Sequence, residues 1–143
     1  MLKALLCSFL TSVALVSARA ETSDAAAIEG WYAGDAARME RALHPDLAKR
    51  QVAPAPTAPF DRIGHLGAMA LVQGTRNGGG TKTPAAEQRK DVTILDTFAS
   101  MAMVRADMRD WVDYMQLAKL GDHWVIVNVL WERRPAEAAA SAH

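Results

Sequence analysis

The chain has 143 residues, half of them hydrophobic, which is the size of one domain with a real core. Lys and Arg number 16 and so do Asp and Glu, so no basic footprint for nucleic acid exists. The single cysteine, Cys7, falls in the N-terminal segment discussed next, so the remainder has no thiol for disulfides, thiol catalysis or a cysteine metal site.

Lys3 is a short basic start, Ala4 to Val16 is almost entirely apolar and uncharged, and Ser17-Ala-Arg-Ala20 ends in Ala-x-Ala. This is the pattern of a secretory signal peptide over residues 1–20, with cleavage before Glu21. The apolar run is too short for a membrane span, so no membrane attachment is expected after cleavage. An exported chain of this kind is expected in the bacterial periplasm. The structural domain is expected over residues 21–134, followed by an Ala-rich disordered tail from Pro135 to His143.

Glu21 to Ala33 reads as a first helix, capped by Ser23 or Asp24, with Ile28, Trp31 and Tyr32 on one stripe. Gly34 ends it and Asp35 caps a second helix that runs to about Leu43. Its inner face is Ala36, Met39 and Leu43. His44-Pro45-Asp46 stops that helix, because proline disfavours helical geometry in the residue before it. Gln51 to Pro59 contains Pro54, Pro56 and Pro59 and reads as an extended crossing loop. Asp61 is placed to cap a third helix reaching to about Gln73, with Ile63, Leu66, Met69 and Ala70 inward. Gly64 and Gly67 weaken it by about 1 kcal/mol each relative to alanine. Gly74 to Pro84 reads as a loop; Lys82-Thr83 lacks the preceding strand and following helix of a phosphate cradle.

Four consecutive strands follow: Asp91–Phe98, Met101–Asp107, Trp111–Leu120 and His123–Glu132, rich in β-branched and aromatic residues. Gly121-Asp122 is a tight-turn signal. A three-residue loop there would flip the face of one strand, whereas a two-residue loop, or a four-residue one, sets Met115 opposite Asn128 and Asp113 opposite Leu130. One face then carries Trp111, Asp113, Met115, Leu117, Trp124, Ile126, Asn128 and Leu130. The other carries Val112, Tyr114, Gln116, Ala118, Val125, Val127, Val129 and Trp131. Both are largely apolar and both need cover. The helices cover one, and a second copy of the chain is the simplest cover for the other. The expected dimer interface is therefore Tyr114, Gln116, Val127, Val129 and Trp131.

The histidines are scattered and none has metal-ligand spacing, so neither a metal nor a cofactor is expected. His44, beside the crossing loop, is the histidine best placed for a site. Asp113 and Asn128 are polar positions in apolar strands. A buried carboxylate needs a hydrogen bond or a partner. Their shared face makes them either a structural pair or the polar end of an apolar ligand pocket. Trp31, Tyr32 and Met115 are the expected pocket companions, with His44 at its edge. No catalytic residue is assigned.

Three helices, a long loop and a meander of long strands resemble the nuclear transport factor 2-like superfamily. The residues that carry the likeness are Glu29-Gly-Trp-Tyr-Ala-Gly-Asp35, Leu43-His-Pro-Asp46, Trp111-Val-Asp-Tyr-Met-Gln-Leu117 and Gly121-Asp-His-Trp-Val-Ile-Val-Asn-Val-Leu-Trp131. Within it the chain looks closest to the lumazine-binding family. The resemblance implies an α+β cone: a strongly curved antiparallel sheet, with about four long C-terminal strands, packed on three N-terminal helices and enclosing a cavity. It also implies homodimers through the outer sheet face. Members include ketosteroid isomerase, polyketide cyclases and dehydratases, as well as binding and assembly domains. On alignment the isomerase's oxyanion tyrosine falls at Ala27, its general base at Gln51 and its cavity acid at Asp113. Only the last is retained, so isomerase chemistry is not expected. A secreted, non-catalytic domain for a small organic ligand is the leading expectation. A cofactor-free lyase, isomerase or cyclase using Asp113 is the alternative, and a purely dimeric assembly module a further one.

Overall fold

The computed structural model describes residues 22–57 and 61–135, and the expected signal peptide, Pro59 and all but the first residue of the tail lie outside them. The chain folds as α1 (Ser23–Ala33), α2 (Ala36–Ala42), β1 (Leu43–Ala53), β2 (Arg62–Leu66), α3 (Ala68–Arg76), a 3-10 turn (Ala85–Glu87), β3 (Lys90–Phe98), β4 (Met101–Met108), β5 (Trp111–Leu120) and β6 (His123–Arg133). The strands form one curved sheet in the order β2-β1-β6-β5-β4-β3. β2 and β3 are its free edges, so it does not close into a barrel. All pairings are antiparallel except β1 with β6. The α+β expectation is met, with six strands and a mixed sheet in place of four antiparallel ones.

Helix ends follow local chemistry. Gly34 takes φ 67°, the left-handed conformation that glycine adopts without a Cβ clash, and closes α1. The Asp35 carboxylate then accepts the Arg38 N–H at 2.9 Å and caps α2. The start of α1 differs from expectation. Thr22 is the cap residue, while the Ser23 hydroxyl donates to the Trp124 carbonyl and ties the helix to β6.

The middle of the chain departs most from the sequence reading. The expected crossing loop begins as a strand, because β1 runs through Ala53 and is paired on both sides. Pro45 is tolerated because the β1–β6 ladder skips from Leu43 to Ala48, so no ladder bond needs its missing N–H. The third helix starts late. Residues 62–66 form edge strand β2, and Gly67 caps α3, whose buried residues are Ala68, Val72 and Thr75. Ile63 and Met69, expected inward, are 61% and 66% exposed, and Ala70 is exposed as well. The two glycines are better suited to an edge strand and a helix start than to a helix interior.

The four C-terminal strands lie where expected. Gly121, at φ 61°, makes the turn between β5 and β6, and Leu120 pairs with His123. The register then slips. Leu117 pairs with Ile126, but Gln116 pairs with Asn128, leaving Val127 as a bulge. One extra residue in a strand turns every later side chain to the opposite face. Val129 and Trp131 therefore join Asp113 and Met115 beneath the helices, while Asn128 and Leu130 join Gln116 and Tyr114 on the outer face. The core packs Ile28, Tyr32, Met39 and Val72 from the helices on Val104, Met115, Ile126 and Val129 from the sheet.

Candidate functional site

The bulge at Val127 shapes a cavity of about 240 Å³ between the helices and the inner sheet face. Its walls are Ala27, Ile28 and Trp31 of α1, Met39 of α2, Leu71 of α3, and Met108, Trp111, Met115, Ile126, Val129 and Trp131 of the sheet. Three indoles dominate. Trp31 meets Trp111 edge to face, centroids 6.0 Å apart at 89°, and Trp111 meets Trp131 at 6.2 Å and 69°. Such crossed pairs align each ring's positive edge with its neighbour's negative face.

The polar part of the cavity is a buried ion pair. Lys49 Nζ donates to Asp113 Oδ1 at 2.7 Å, each side chain being 11% exposed. Trp111 Nε1–H donates to Asp113 Oδ2 at 3.1 Å. The Lys49 ammonium also lies 5.2 Å from the Trp131 ring centroid, within cation–π range. Both oxygens of the carboxylate thus have a donor, which is what a charge needs away from water. Arg133, the third charged lining residue, carries its guanidinium 6.0 Å from the same ring.

The structure brings Asp113, Met115 and Trp31 together in this cavity. It does not bring the other three expected residues there. Asn128 lies on the outer face and donates to Gln116 Oε1 at 2.9 Å, because the bulge reverses its direction. Tyr32 is a core residue whose hydroxyl donates to the Arg89 carbonyl at 3.1 Å, and burial pushes its phenol pKa above 10.0. His44 sits at the start of β1, its Nδ1 accepting the Asp46 N–H at 3.1 Å. Of the expected interface, Tyr114 and Gln116 are exposed on the outer face, while Val129 and Trp131 line the cavity. Ala27, at the tyrosine position of the isomerase, lines the cavity as a methyl group. Gln51, at the base position, lies on β1 opposite Trp131.

Sequence reasoning left out Lys49 and Arg133, placed Trp111 on the Asp113 face without naming it as lining, and assigned Trp131 to the dimer interface. One signal could have found Lys49. A carboxylate placed in the core by its strand needs a donor or a cation beside it, and Lys49 stands in a short segment between prolines that can form a strand.

A curved sheet over three helices with a small apolar cavity defines an NTF2-like α+β domain. The profile of the family described as "Putative lumazine-binding" matches residues 18–132, and the chain belongs to that family. No curated protein matches it. Among solved structures it is similar to an NTF2-like protein of unknown function from Shewanella baltica, with 17% identity, a TM-score of 0.57, and coverage of 76% of this chain and 85% of that one. It is similar to a protein with a cystatin-like fold from Nostoc punctiforme, at 14% identity, TM-score 0.55, and coverage of 80% and 87%. An NTF2-like protein from Pseudomonas aeruginosa gives 17% identity, TM-score 0.53, and coverage of 78% and 93%. At these identities the likeness establishes the fold. Among the described residues no helix is long and apolar enough to cross a membrane.

Proposed function

We propose that the chain is an exported small-molecule-binding domain whose ligand occupies the cavity between α1 and the inner sheet face. The observation that carries this reading is the cavity itself: three crossed indoles around one buried ion pair. Apolar and aromatic walls supply affinity, and a few fixed polar groups set orientation. The family's name supports a flat organic ligand. Export rests on the leader-like pattern of residues 1–20. A homodimer through the outer sheet face completes the proposal, since Met103, Tyr114 and Leu130 stand exposed there.

Catalysis by Asp113 is the second reading, favoured by one observation: Lys49 is an ionisable neighbour inside the same cavity. Both Asp113 oxygens already accept hydrogen bonds, so proton abstraction would first have to break one. Binding is the better reading of that arrangement.

The test is native mass spectrometry of the purified protein, followed by a thermal-shift screen of flat organic compounds. A copurified small molecule, or a compound whose stabilisation saturates as binding linkage requires, supports the proposal. Trp111→Ala should abolish that stabilisation. No bound molecule and no stabilising compound would reject it.

A further inference from the structure

Resting on the cavity reading above, we infer that the ligand is a small aromatic carboxylate, a monoanion, rather than a neutral or cationic molecule. The charged residues lining the cavity are Lys49, Asp113 and Arg133, two cations and one anion. Lys49 and Asp113 neutralise each other at 2.7 Å. Arg133 is exposed and makes no ion pair among the described residues, so the lining set carries one net positive charge, on a side chain in contact with water.

Hydrogen-bonding capacity points the same way. The two Asp113 oxygens each have a donor, from Lys49 and from Trp111. An ammonium has three N–H groups and no acceptor. Asp113 takes one of those of Lys49, and no other acceptor meets it among the described residues. Trp131 Nε1, in the same wall, is buried with no acceptor at all. The Arg133 guanidinium brings five further N–H groups near the Trp131 ring. The cavity therefore has several unused donors, against only the remaining lone pairs of the Asp113 oxygens as unused acceptors. A molecule that contributes acceptors and a negative charge fits this imbalance, and one that contributes donors or a positive charge does not.

The remaining surface decides the body of the ligand. Trp31, Trp111 and Trp131 present ring edges and faces at crossed angles, which suit a flat aromatic body. About 240 Å³ lies just below the roughly 300–1,000 Å³ of sites for drug-sized molecules, so one or two fused rings are the limit. With one net positive charge and apolar walls, a planar carboxylate is favoured over a doubly charged phosphate, which would leave part of its charge unpaired.

Calorimetric titration of the full-length protein with naphthoate, naphthamide and naphthylmethylammonium tests this directly, because the three share one ring system and differ in charge and donors. Naphthoate should bind at least about tenfold more tightly than either other compound. Arg133→Gln, at an exposed position, should reduce that preference several-fold. Lys49→Met strands the Asp113 charge and destabilises the fold, so the paired variant Lys49→Met/Asp113→Leu is used beside it and should also lose the preference. Equal or tighter binding of the amide or the ammonium would overturn the anion assignment while leaving cavity binding intact. A naphthoate preference unchanged in both variants would overturn the roles of these residues. No heat with any of the three would overturn the cavity reading together with this one.

Discussion

Lys49 on β1 and Asp113 on β5 reach across β6 to form an ion pair of 2.7 Å in the cavity floor. The pair joins an element that follows the short helices to the C-terminal meander, so it reports on assembly of the whole sheet. Removing one partner of a buried pair strands the other charge and costs about 3–5 kcal/mol. Lys49→Met and Asp113→Leu should each destabilise by about that amount. The double variant should be far less destabilised than the sum of the two, since two apolar groups of similar size leave no unpaired charge. Urea unfolding of the four proteins measures the coupling. Additive effects would mean that the pair does not form in solution.

The glycine-rich loop turns out to be a clamp on α1. Gly80 N–H donates to the Trp31 carbonyl at 2.9 Å. A Cβ at Gly80 would lie 2.7 Å from Trp31 Cδ1 and Nε1 and 2.8 Å from Tyr32 Cδ1. Gly80→Ala should push the Trp31 indole into the cavity, destabilise the fold by about 1–3 kcal/mol and weaken ligand binding. Gly79→Ala should cost more, because its Cβ would meet the Trp31 carbonyl at 2.6 Å from a backbone at φ 46°. Gly64→Ala is the control: its nearest neighbour is Gln51 Cβ at 3.6 Å, and its effect should stay within about 0.5 kcal/mol. Equal effects at all three positions would dismiss the clamp.

Acid stability should depend on Asp107. Arg105 and Arg134 both donate to its carboxylate, and these charged hydrogen bonds hold its pKa below the ordinary 3.8. A carboxyl whose pKa is lower folded than unfolded adds stability that is fully present above 3.8. That stability is lost as pH falls through the lower folded value. Asp107→Asn should therefore melt below wild type at neutral pH, and the two curves should approach each other well below pH 3.8. Melting temperatures across the acid range decide it. A constant gap down to the lowest pH would exclude the linkage.

These tests divide along the line between what local sequence encodes and what it does not. Gly34-Asp35 and Gly121-Asp122 set their own backbone, so the helix boundary and the last hairpin were readable. The four C-terminal strands were readable because their neighbours in sequence are their neighbours in space. β1 was not, since its pairing with β6 joins segments far apart in the chain and its one proline sits in a ladder gap that no local pattern announces. The bulge at Val127 was equally silent. Val125 to Leu130 is apolar at every position but Asn128, so either register buries comparable side chains. Asp113, Trp111 and Trp31 could be placed together from the sequence, whereas the partner Lys49 and the Trp131 indole depended on those two non-local features.

Export is testable without any ligand. Expression of the full chain with recovery from the periplasm of a bacterial host should yield a mature protein that begins at Glu21, after Ala18-Arg-Ala20. Intact mass gives the answer. A periplasmic product that still begins at Met1 would reject cleavage, and retention of all product in the cytoplasm would reject export.

The outer sheet face carries the last expectation. Met103 is 38% exposed, Tyr114 45% and Leu130 49%, with Gln116 and Asn128 hydrogen-bonded between them. The rows Arg50, Leu130, Tyr114, Arg105 and Ala48, Asn128, Gln116, Met103 run across four adjacent strands, forming one continuous surface. An apolar patch rimmed by arginines and amides resembles an interface more than an ordinary solvated face. A second copy can bury it by the same patch on both sides, which is the commonest symmetry of soluble assemblies. Light scattering at micromolar concentration should report twice the chain mass. Leu130→Glu places a charge at the centre of the patch and should give a folded monomer with the cavity intact, since its side chain points away from Trp131. Trp131→Glu should instead damage ligand binding and stability, because that ring lines the cavity. A wild-type monomer at every accessible concentration would rule the dimer out. A dimer indifferent to Leu130→Glu would move the interface to another surface.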